Sequence, residues 1–259
     1  TMNKRELELY IHIPFCARKC AYCDFASWDT RAQDPLMAAY AHALSVQIDE
    51  AEGLGLLQDA DTAYVGGGTP SFLGPDLLPA LVSRVAALEV SELTCEANPD
   101  SLSDELLEGL VRAGATRLSV GVQSLEDSEL AELGRLHDAA CAKERVAAAV
   151  ASGLDVSCDL MCATPGQTDA SWGRTLGQAV ALGVGHVSVY PLMIEEGTAF
   201  DRRYAHDPCA WNSDEVQAAR MQQAQVLLEG YAFRRYEVAS YAMRGKACRH
   251  NKAYWTGRP

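Results

Sequence analysis

Apolar, β-rich segments alternate along the chain with segments of helical periodicity, and the units end at Gly, Pro or Asn. This alternation is typical of successive βα units around a parallel sheet. It predicts six strands, which run over Leu7 to Ile13, Thr62 to Val65, Glu92 to Glu96, Arg117 to Val122, Val156 to Met161 and His186 to Leu192. Six units are too few for a closed eight-stranded barrel, so we expect an α/β fold with a curved, partly open parallel sheet.

The segments between the strands show the spacing of amphipathic helices. Ser103 is the expected N-cap and Gly114 the expected C-cap of one of them. A last long helix is predicted from Ser213 to Gly230, and a short strand-like run from Tyr236 to Tyr241 follows it. No helix or strand is expected at the end of the chain, Trp255 to Pro259, which therefore resembles the end of a fragment of a longer protein.

Composition and charge narrow the class of protein. The chain has 259 residues, 48% hydrophobic and 22% charged, which is enough for one large α/β domain. No apolar run approaches the roughly 18 residues that span a bilayer, and the start, Thr1 to Glu6, lacks an apolar signal region, so we expect a cytoplasmic protein. Thr1 before Met2 is interpreted as a cloning scar. A formal charge of -13 argues against nucleic acid as a partner.

Three cysteines follow the first strand closely, at Cys16, Cys20 and Cys23. Thiolates at this spacing converge on one centre and favour zinc or an iron-sulfur cluster. Structural zinc requires four protein ligands, so a zinc site would need a distant fourth ligand such as Cys248 or His250. Three cysteines alone suit a four-iron cluster with one iron left open, whereas the third alternative is buried thiols.

The CxxxCxxC loop after strand one resembles that of the radical S-adenosylmethionine (SAM) superfamily. The resemblance implies a partial (β/α)6 barrel in residues 1–205 and the beginning of a C-terminal α+β region in residues 206–259. It also implies a [4Fe-4S] cluster on the three cysteines, whose open iron chelates SAM and whose electron cleaves it to a 5'-deoxyadenosyl radical. By the same resemblance, the SAM contacts are Tyr10, Tyr22, Gly67, Gly68, Thr69, Glu96, Gln123, Arg135 and Asp159.

Physical reasons support several of these positions, because ligand sites in parallel α/β folds lie where the strands end. The run Gly66 to Pro70 lets the backbone approach a small charged group closely. Asp159 lies within an apolar strand and requires a polar partner. The segment Met161 to Gly166 departs from the aromatic-Gly-Leu-Pro-Gly sequence that is more usual in the family, and the expected geometry there is less defined.

Two motifs resemble the branch of the superfamily that contains oxygen-independent coproporphyrinogen III oxidase and the HemW-type haem chaperones. They are Tyr10 to Cys16 and Cys248 to Trp255. The oxidases resemble CxxxCxxCxC, but Phe25 takes the place of the additional cysteine here. The resemblance therefore favours a haem chaperone over the oxidase of porphyrin biosynthesis, which would decarboxylate propionates oxidatively. A radical enzyme with another substrate is the third alternative, so the sequence leaves open whether the chain is an enzyme.

The haem chaperone hypothesis assigns haem as cargo and His250 as its candidate iron ligand, with Cys248 as a second possibility. Tyr254 and Trp255 offer flat apolar surface for a porphyrin, whereas His12 is expected to be a strand histidine. The resemblance implies haem-acceptor proteins, one of which could be membrane-associated, and an electron donor such as a flavodoxin or ferredoxin. Thiols without metal-like spacing are expected to be structural or incidental: Cys95, Cys141, Cys158, Cys162 and Cys209.

Overall fold

Strands and helices alternate along the chain as the hydrophobic pattern predicts. The computed structural model describes residues 7–204 and 210–258. The strands are β1 (Leu7–Ile13), β2 (Phe15–Cys16), β3 (Trp28–Asp29), β4 (Ala60–Gly67), β5 (Glu92–Ala97), β6 (Arg117–Gln123), β7 (Asp155–Cys162), β8 (His186–Pro191), β9 (Arg234–Arg235) and β10 (Ser240–Ala242). The helices are α1 (Pro35–Gly53), α2 (Gly74–Ala86), α3 (Asp104–Ala113), α4 (Asp127–Leu133), α5 (Ala139–Ala151), α6 (Asp169–Ala181), α7 (Ala199–Tyr204), α8 (Asp214–Gly230) and α9 (Arg249–Thr256).

Six of the strands form a mostly parallel sheet in the order β1-β4-β5-β6-β7-β8. Strand β10 pairs antiparallel with β8 and extends the sheet to β9, so the described strands form an open sheet and not a closed barrel. This confirms the expected α/β class with a partly open parallel sheet. Strands β5 and β6 lie in the middle of the parallel part, whereas β1 is an edge.

The two faces of the sheet differ in polarity, which β6 illustrates. Leu118, Val120 and Val122 are fully buried in the main hydrophobic core. The alternating residues Arg117 and Ser119 line a cavity on the other face. Because successive side chains of a strand point to opposite faces, one strand contributes to the core and to the cavity together.

The predicted helix boundaries are confirmed where local capping decides them. The Ser103 hydroxyl accepts a hydrogen bond from the Leu106 amide at 3.1 Å, and Gly114 ends α3 with a φ of 96°. Ser213 caps α8 in the same way. None of the helices in the described part of the chain is long and apolar enough to cross a membrane.

The expectation that no helix lies at the end of the chain is wrong, because α9 occupies Arg249–Thr256. Glu92, the first residue of β5, accepts hydrogen bonds from the amides of Arg249 and His250 at 3.0 Å each. A carboxylate at a helix N-terminus satisfies amides that have no partner within the helix. The strand-like run from Tyr236 to Tyr241 is also shorter than expected, since only β10 forms there.

Three sequence predictions lie outside the described residues. They are the cloning scar at Thr1, the domain boundary between residues 205 and 206, and the structural role of Cys209.

Candidate functional site

A cavity of about 820 Å³ lies on the concave face of the sheet. Its wall consists of side chains from the inner face of the parallel strands, the loop after β1 and helix α9. Every site residue expected from the sequence lines this cavity: Tyr10, Cys16, Cys20, Tyr22, Cys23, Gly67, Gly68, Thr69, Glu96, Gln123, Arg135, Asp159 and His250.

The three cysteines lie on the cavity wall as free thiols. Cys16 is buried and its Sγ accepts a hydrogen bond from the Thr69 hydroxyl at 3.5 Å. The Arg135 guanidinium donates to the Cys20 Sγ at 3.4 Å. Burial raises the pKa of the Cys23 thiol. Hydrogen-bond donors thus contact two of the three sulfurs, and the thiolate is the form of cysteine that binds metal.

The donor set fits a four-iron cluster better than a single ion. Among the described residues, no group of three or more His, Cys, Asp or Glu is compact enough to hold one metal ion. A four-iron cluster is larger than one ion and separates its thiolates more widely. Cys248, the alternative distant zinc ligand, instead donates a hydrogen bond at 3.4 Å to Glu92, which is the first residue of β5. The three cysteines, in contrast, lie where β1 ends.

Two glycines at the end of β4, Gly67 and Gly68, leave room beside the cysteine loop. A Cβ on Gly68 would lie 3.0 Å from the Cys16 Sγ. Gly67 has a φ of +120°, and a Cβ there would lie 2.7 Å from the His12 ring and 2.9 Å from the Ile13 carbonyl oxygen. Both positions therefore require glycine, and they keep the backbone accessible to a ligand at the end of β4.

Glu96, near the end of β5, is half-buried on the cavity wall. Its carboxylate accepts hydrogen bonds from the Tyr64 hydroxyl at 2.7 Å and the Gly67 amide at 3.0 Å. Burial is the main cause that raises the pKa of Glu96 to about 7. This carboxyl therefore changes its protonation state near neutral pH.

Arg135 has an incomplete set of hydrogen bonds. Its Nη2 donates to the Asn98 side chain at 2.6 Å and to the Gly121 carbonyl at 2.8 Å. Its Nε is buried and lacks a partner in the part of the chain that the structure describes. Tyr22 lies beside it, and loss of solvent around the phenol raises its pKa, so Tyr22 remains a neutral hydroxyl. A polar ligand at this end of the cavity would satisfy the free donor.

Asp159 has the polar partners that its position in an apolar strand requires. Its carboxylate accepts hydrogen bonds from the Ser119 hydroxyl at 2.7 Å and the Ser157 hydroxyl at 3.3 Å. Burial raises the pKa of this carboxyl, and the serine hydroxyls oppose the rise. Asp159 pairs in register with Gly121, one inward position below Gln123 on β6, so it lies deeper than the strand-end residues.

His250 lies deep in the cavity with only 2% of its surface exposed. Its Nδ1 is 2.7 Å from the Thr62 hydroxyl and its Nε2 is 3.3 Å from the Tyr254 hydroxyl. Burial lowers the pKa of the imidazole, so the ring is neutral. Both ring nitrogens thus have hydroxyl partners, and binding to an iron requires that one of these partners is released.

The mouth of the cavity carries exposed aromatic rings. Phe25 is 67% exposed and lines the cavity wall close to the cysteine loop. Tyr254 is 62% exposed on the same wall, and Trp255 follows it at 59%. Large apolar side chains with this exposure are typical of surfaces that bind a ligand or partner.

Sequence reasoning missed three polar residues that line the cavity and one beside it. Arg117, Tyr64 and His186 line the cavity at inward positions of predicted strands, and Tyr236 contacts His186. The His186 Nε2 is 2.8 Å from the Tyr236 hydroxyl, which belongs to the segment before β10. Polar residues that alternate with apolar ones were the available signal.

Comparisons with known proteins agree with this arrangement. The model of the radical SAM superfamily matches residues 10–179. Heme chaperone HemW from Mycobacterium tuberculosis (strain H37Rv) is 38% identical over 96% of this chain and 65% of its own length. Heme chaperone HemW from Escherichia coli (strain K12) is 36% identical over 96% of this chain and 66% of its own. The chain thus spans about two thirds of the length of these curated relatives.

The solved structure of coproporphyrinogen III oxidase (HemN) from Escherichia coli has a similar fold. It superposes with a TM-score of 0.80 at 23% identity, and covers 98% of this chain and 58% of that chain. At this identity the match concerns the fold alone.

Proposed function

Because the chain belongs to the radical SAM superfamily, we propose that it works as a HemW-like haem chaperone, which binds haem and transfers it to acceptor proteins. Membership of this superfamily implies a [4Fe-4S] cluster and SAM as cofactors. The observation that carries the choice of a chaperone is Phe25, which stands two positions after the third cluster cysteine and is exposed at the cavity wall. A phenyl ring cannot exchange a proton or an electron as a thiol does in that place.

Cys16, Cys20 and Cys23 would hold the cluster, and its open iron would face the cavity that they line. When bound, such a cluster supplies a coordination point for SAM and one electron. The Arg135 guanidinium beside the Cys20 Sγ offsets negative charge on that sulfur. Its free Nε supplies one more donor toward a bound molecule.

The remaining strand-end residues would bind and orient SAM. Glu96 in its ionised form accepts hydrogen bonds from hydroxyl groups, and Gln123 provides both an amide donor and an acceptor. The open backbone at Gly67 and Gly68 admits a small charged group such as an amine. These assignments agree with the place of the residues on one cavity wall.

We retain His250 as the candidate haem ligand, with Tyr254 and Trp255 as the flat surface for the porphyrin. The neutral imidazole needs only to exchange a hydroxyl partner for the metal. Cys248 is the weaker candidate, because burial raises the pKa of its thiol to about 12 and a protonated thiol does not ligate iron.

The proposal includes a cytoplasmic location and a core in residues 1–205, followed by the beginning of a C-terminal region in residues 206–259. Its partners are haem-acceptor proteins, one of them membrane-associated, and a flavodoxin or ferredoxin as electron donor. The net charge of -13 supports the proposal that nucleic acid is not a partner.

The alternative function is an oxygen-independent coproporphyrinogen III oxidase, which the fold similarity to HemN keeps open. The test is an anaerobic assay of the chain reconstituted with iron and sulfide, supplied with SAM, a reductant and coproporphyrinogen III. We expect no decarboxylated porphyrinogen by chromatography, and haem binding in a parallel titration. Repeated turnover to decarboxylated product would establish the oxidase instead.

The His250 assignment is tested in the same haem titration. We expect His250→Ala to weaken haem binding and to change the absorption spectrum of the bound haem. An unchanged affinity and spectrum would show that another residue ligates the iron.

A further inference from the structure

The half of the cavity nearest the amino ends of the strands, called the lower half below, contains a polar cluster that the SAM site does not use. On β6 the inward positions run from Arg117 through Ser119 and Gly121 to Gln123. Arg117 and Gln123 are six residue steps apart along the strand, which corresponds to roughly 20 Å. Arg117 therefore lies far below the strand ends where the cofactor contacts are expected.

Arg117 is a buried cation without an ion pair. Its side chain is 3% exposed. Within the described chain, the guanidinium makes one hydrogen bond, from Nη1 to the Lys246 carbonyl at 3.0 Å, and it forms no salt bridge. A fully buried arginine is rare unless a charge partner compensates its lost hydration. Its remaining donors are therefore available to an anion in the cavity that they line.

The carboxylates near Arg117 are already engaged by other groups. Asp159 accepts hydrogen bonds from Ser119 and Ser157. Glu92 accepts from the amides of Arg249 and His250 at the start of α9. The charge of Arg117 acts to lower the pKa of the Asp159 carboxyl, but within the described chain neither carboxylate forms a salt bridge or a hydrogen bond with the guanidinium. A direct charge partner therefore has to come from a bound molecule.

Neutral hydrogen-bonding groups surround Arg117 on the neighbouring strands. The Ser157 hydroxyl is 2.7 Å from the Nδ1 of His186, whose Nε2 contacts the Tyr236 hydroxyl. Burial, with Arg117 as a second cause, lowers the pKa of His186 well below its usual range, so the imidazole is neutral. Asn251 donates to Tyr236 at 3.3 Å and lines the same cavity. Hydroxyl and amide groups of this kind hold a carboxylate without adding a competing charge.

The position of β6 in the sheet connects this cluster to the aromatic mouth. Because β6 is central in the parallel sheet, Arg117 lies on its inner wall, whereas β1 is an edge of the sheet and β8 is continued by β10 and β9. Tyr10 on β1 and Tyr190 on β8 are both half-exposed and line the cavity, as does Tyr254 on α9. Exposed aromatic rings and the buried guanidinium therefore line one cavity.

We infer that Arg117 binds a carboxylate of the cargo, whose flat apolar body lies against the aromatic rings at the mouth. This inference rests on the proposed function, under which the carboxylate is a propionate of haem. An arginine pairs with a carboxylate through two parallel hydrogen bonds, and in a buried site such a pair contributes strongly to affinity. The cargo site thus extends from the mouth to the amino ends of the strands.

The test compares haem with haem dimethyl ester, which has the same ring but no carboxylates. Both are titrated into the reconstituted wild-type chain and into the Arg117→Gln and Arg117→Lys variants. We expect the wild type to bind haem about tenfold to hundredfold more tightly than the ester. Arg117→Gln should bind the two equally, and Arg117→Lys should recover part of the preference because it keeps one cation.

Arg174→Gln is the matched control, since Arg174 pairs with Glu126 on the outer surface and does not line the cavity. It should keep the full preference for haem. Thermal unfolding and cluster absorbance establish that each variant is folded. If Arg117→Gln does not fold, the affinities of the wild type and of Arg117→Lys for haem and for the ester test the inference.

The outcomes separate this inference from the proposed function. Equal wild-type affinity for haem and the ester, or an undiminished preference in folded Arg117→Gln, would overturn the role of Arg117 alone. Absence of binding of both compounds to the wild type would overturn the haem chaperone proposal and the propionate site together.

Discussion

The imidazole of His250 stacks on the phenol of Tyr64, with ring centroids 5.2 Å apart and an angle of 27° between the planes. The Tyr64 hydroxyl in turn donates to Glu96 at 2.7 Å. His250 of the last helix therefore contacts Tyr64, and Tyr64 positions the Glu96 carboxylate near the carboxyl ends of the strands. The proposed haem motif and the proposed SAM site are thus in physical contact through one tyrosine.

Replacing His250 should destabilise the folded chain even without haem. His250→Ala removes the stacking on Tyr64 and the hydrogen bond to Thr62, and it leaves an unfilled space. We expect a loss of about 2–4 kcal/mol in the free energy of unfolding, measured by urea denaturation. Lys252→Ala, at an exposed position of the same helix, should change it by less than about 0.5 kcal/mol. Equal stability of the two variants would mean that the His250 contacts contribute little.

Removing one cluster cysteine should abolish the iron-sulfur centre. In Cys20→Ala two thiolates remain, which cannot hold a four-iron cluster. We expect iron content and the visible absorbance of the reconstituted protein to fall to background. Cys141→Ala, on the outer helix α5, should retain both. Undiminished iron in Cys20→Ala, or stoichiometric zinc in the wild type as isolated, would contradict the cluster assignment.

Gly67 and Gly177 should respond oppositely to alanine. In Gly67→Ala the new Cβ meets the His12 ring at 2.7 Å at a residue with φ of +120°, so we expect a loss of about 2–4 kcal/mol in stability. In Gly177→Ala no atom lies within 4 Å of the new Cβ, and α6 should gain about 0.5–1 kcal/mol. Chemical denaturation measures both changes, and a tolerated Gly67→Ala would mean that the backbone there is not constrained.

The half-buried Glu96 should make stability depend on pH. Its pKa rises from 4.5 in the unfolded chain to about 7 in the folded one, so the folded state binds more protons between these values. Its contribution to stability is therefore complete below pH 4.5 and decreases as pH rises to 7, by about 3 kcal/mol.

Glu96→Gln lacks this titration and provides the comparison. The difference in unfolding free energy between variant and wild type should move in favour of the variant between pH 4.5 and 7 and stay constant above that. Subtracting the two profiles removes the contributions of groups that titrate in both proteins independently of Glu96. A constant difference over the whole range would show that Glu96 has an ordinary pKa.

The six parallel strands and the cysteine loop could be predicted from the sequence because local chemistry determines them. Alternating polarity marks β6, for example, where apolar side chains alternate with polar residues or glycine. The spacing of Cys16, Cys20 and Cys23 likewise lies within one short loop. Such signals need no knowledge of distant contacts.

The closure of the cavity by α9 could not be predicted, because its partners are remote in sequence. Glu92 accepts from the amide of Arg249, 157 residues later, and Asp61 pairs with the guanidinium of Arg249 across 188. The same holds for Arg117, whose lack of a direct ion pair within the described chain becomes visible only in three dimensions. A sequence shows that an arginine begins a strand, but not whether a carboxylate contacts its guanidinium.

The two-sided character of β6 limits how the chain can change in length. Adding or deleting a single residue within this strand would exchange its faces, so that Leu118 and Val120 would project into the cavity. Arg117 and Ser119 would then be forced among the apolar helices, where neither finds a partner. Insertions are therefore expected only in the connections between strands and helices, and the lining of the cavity can change only by substitution along the inner wall.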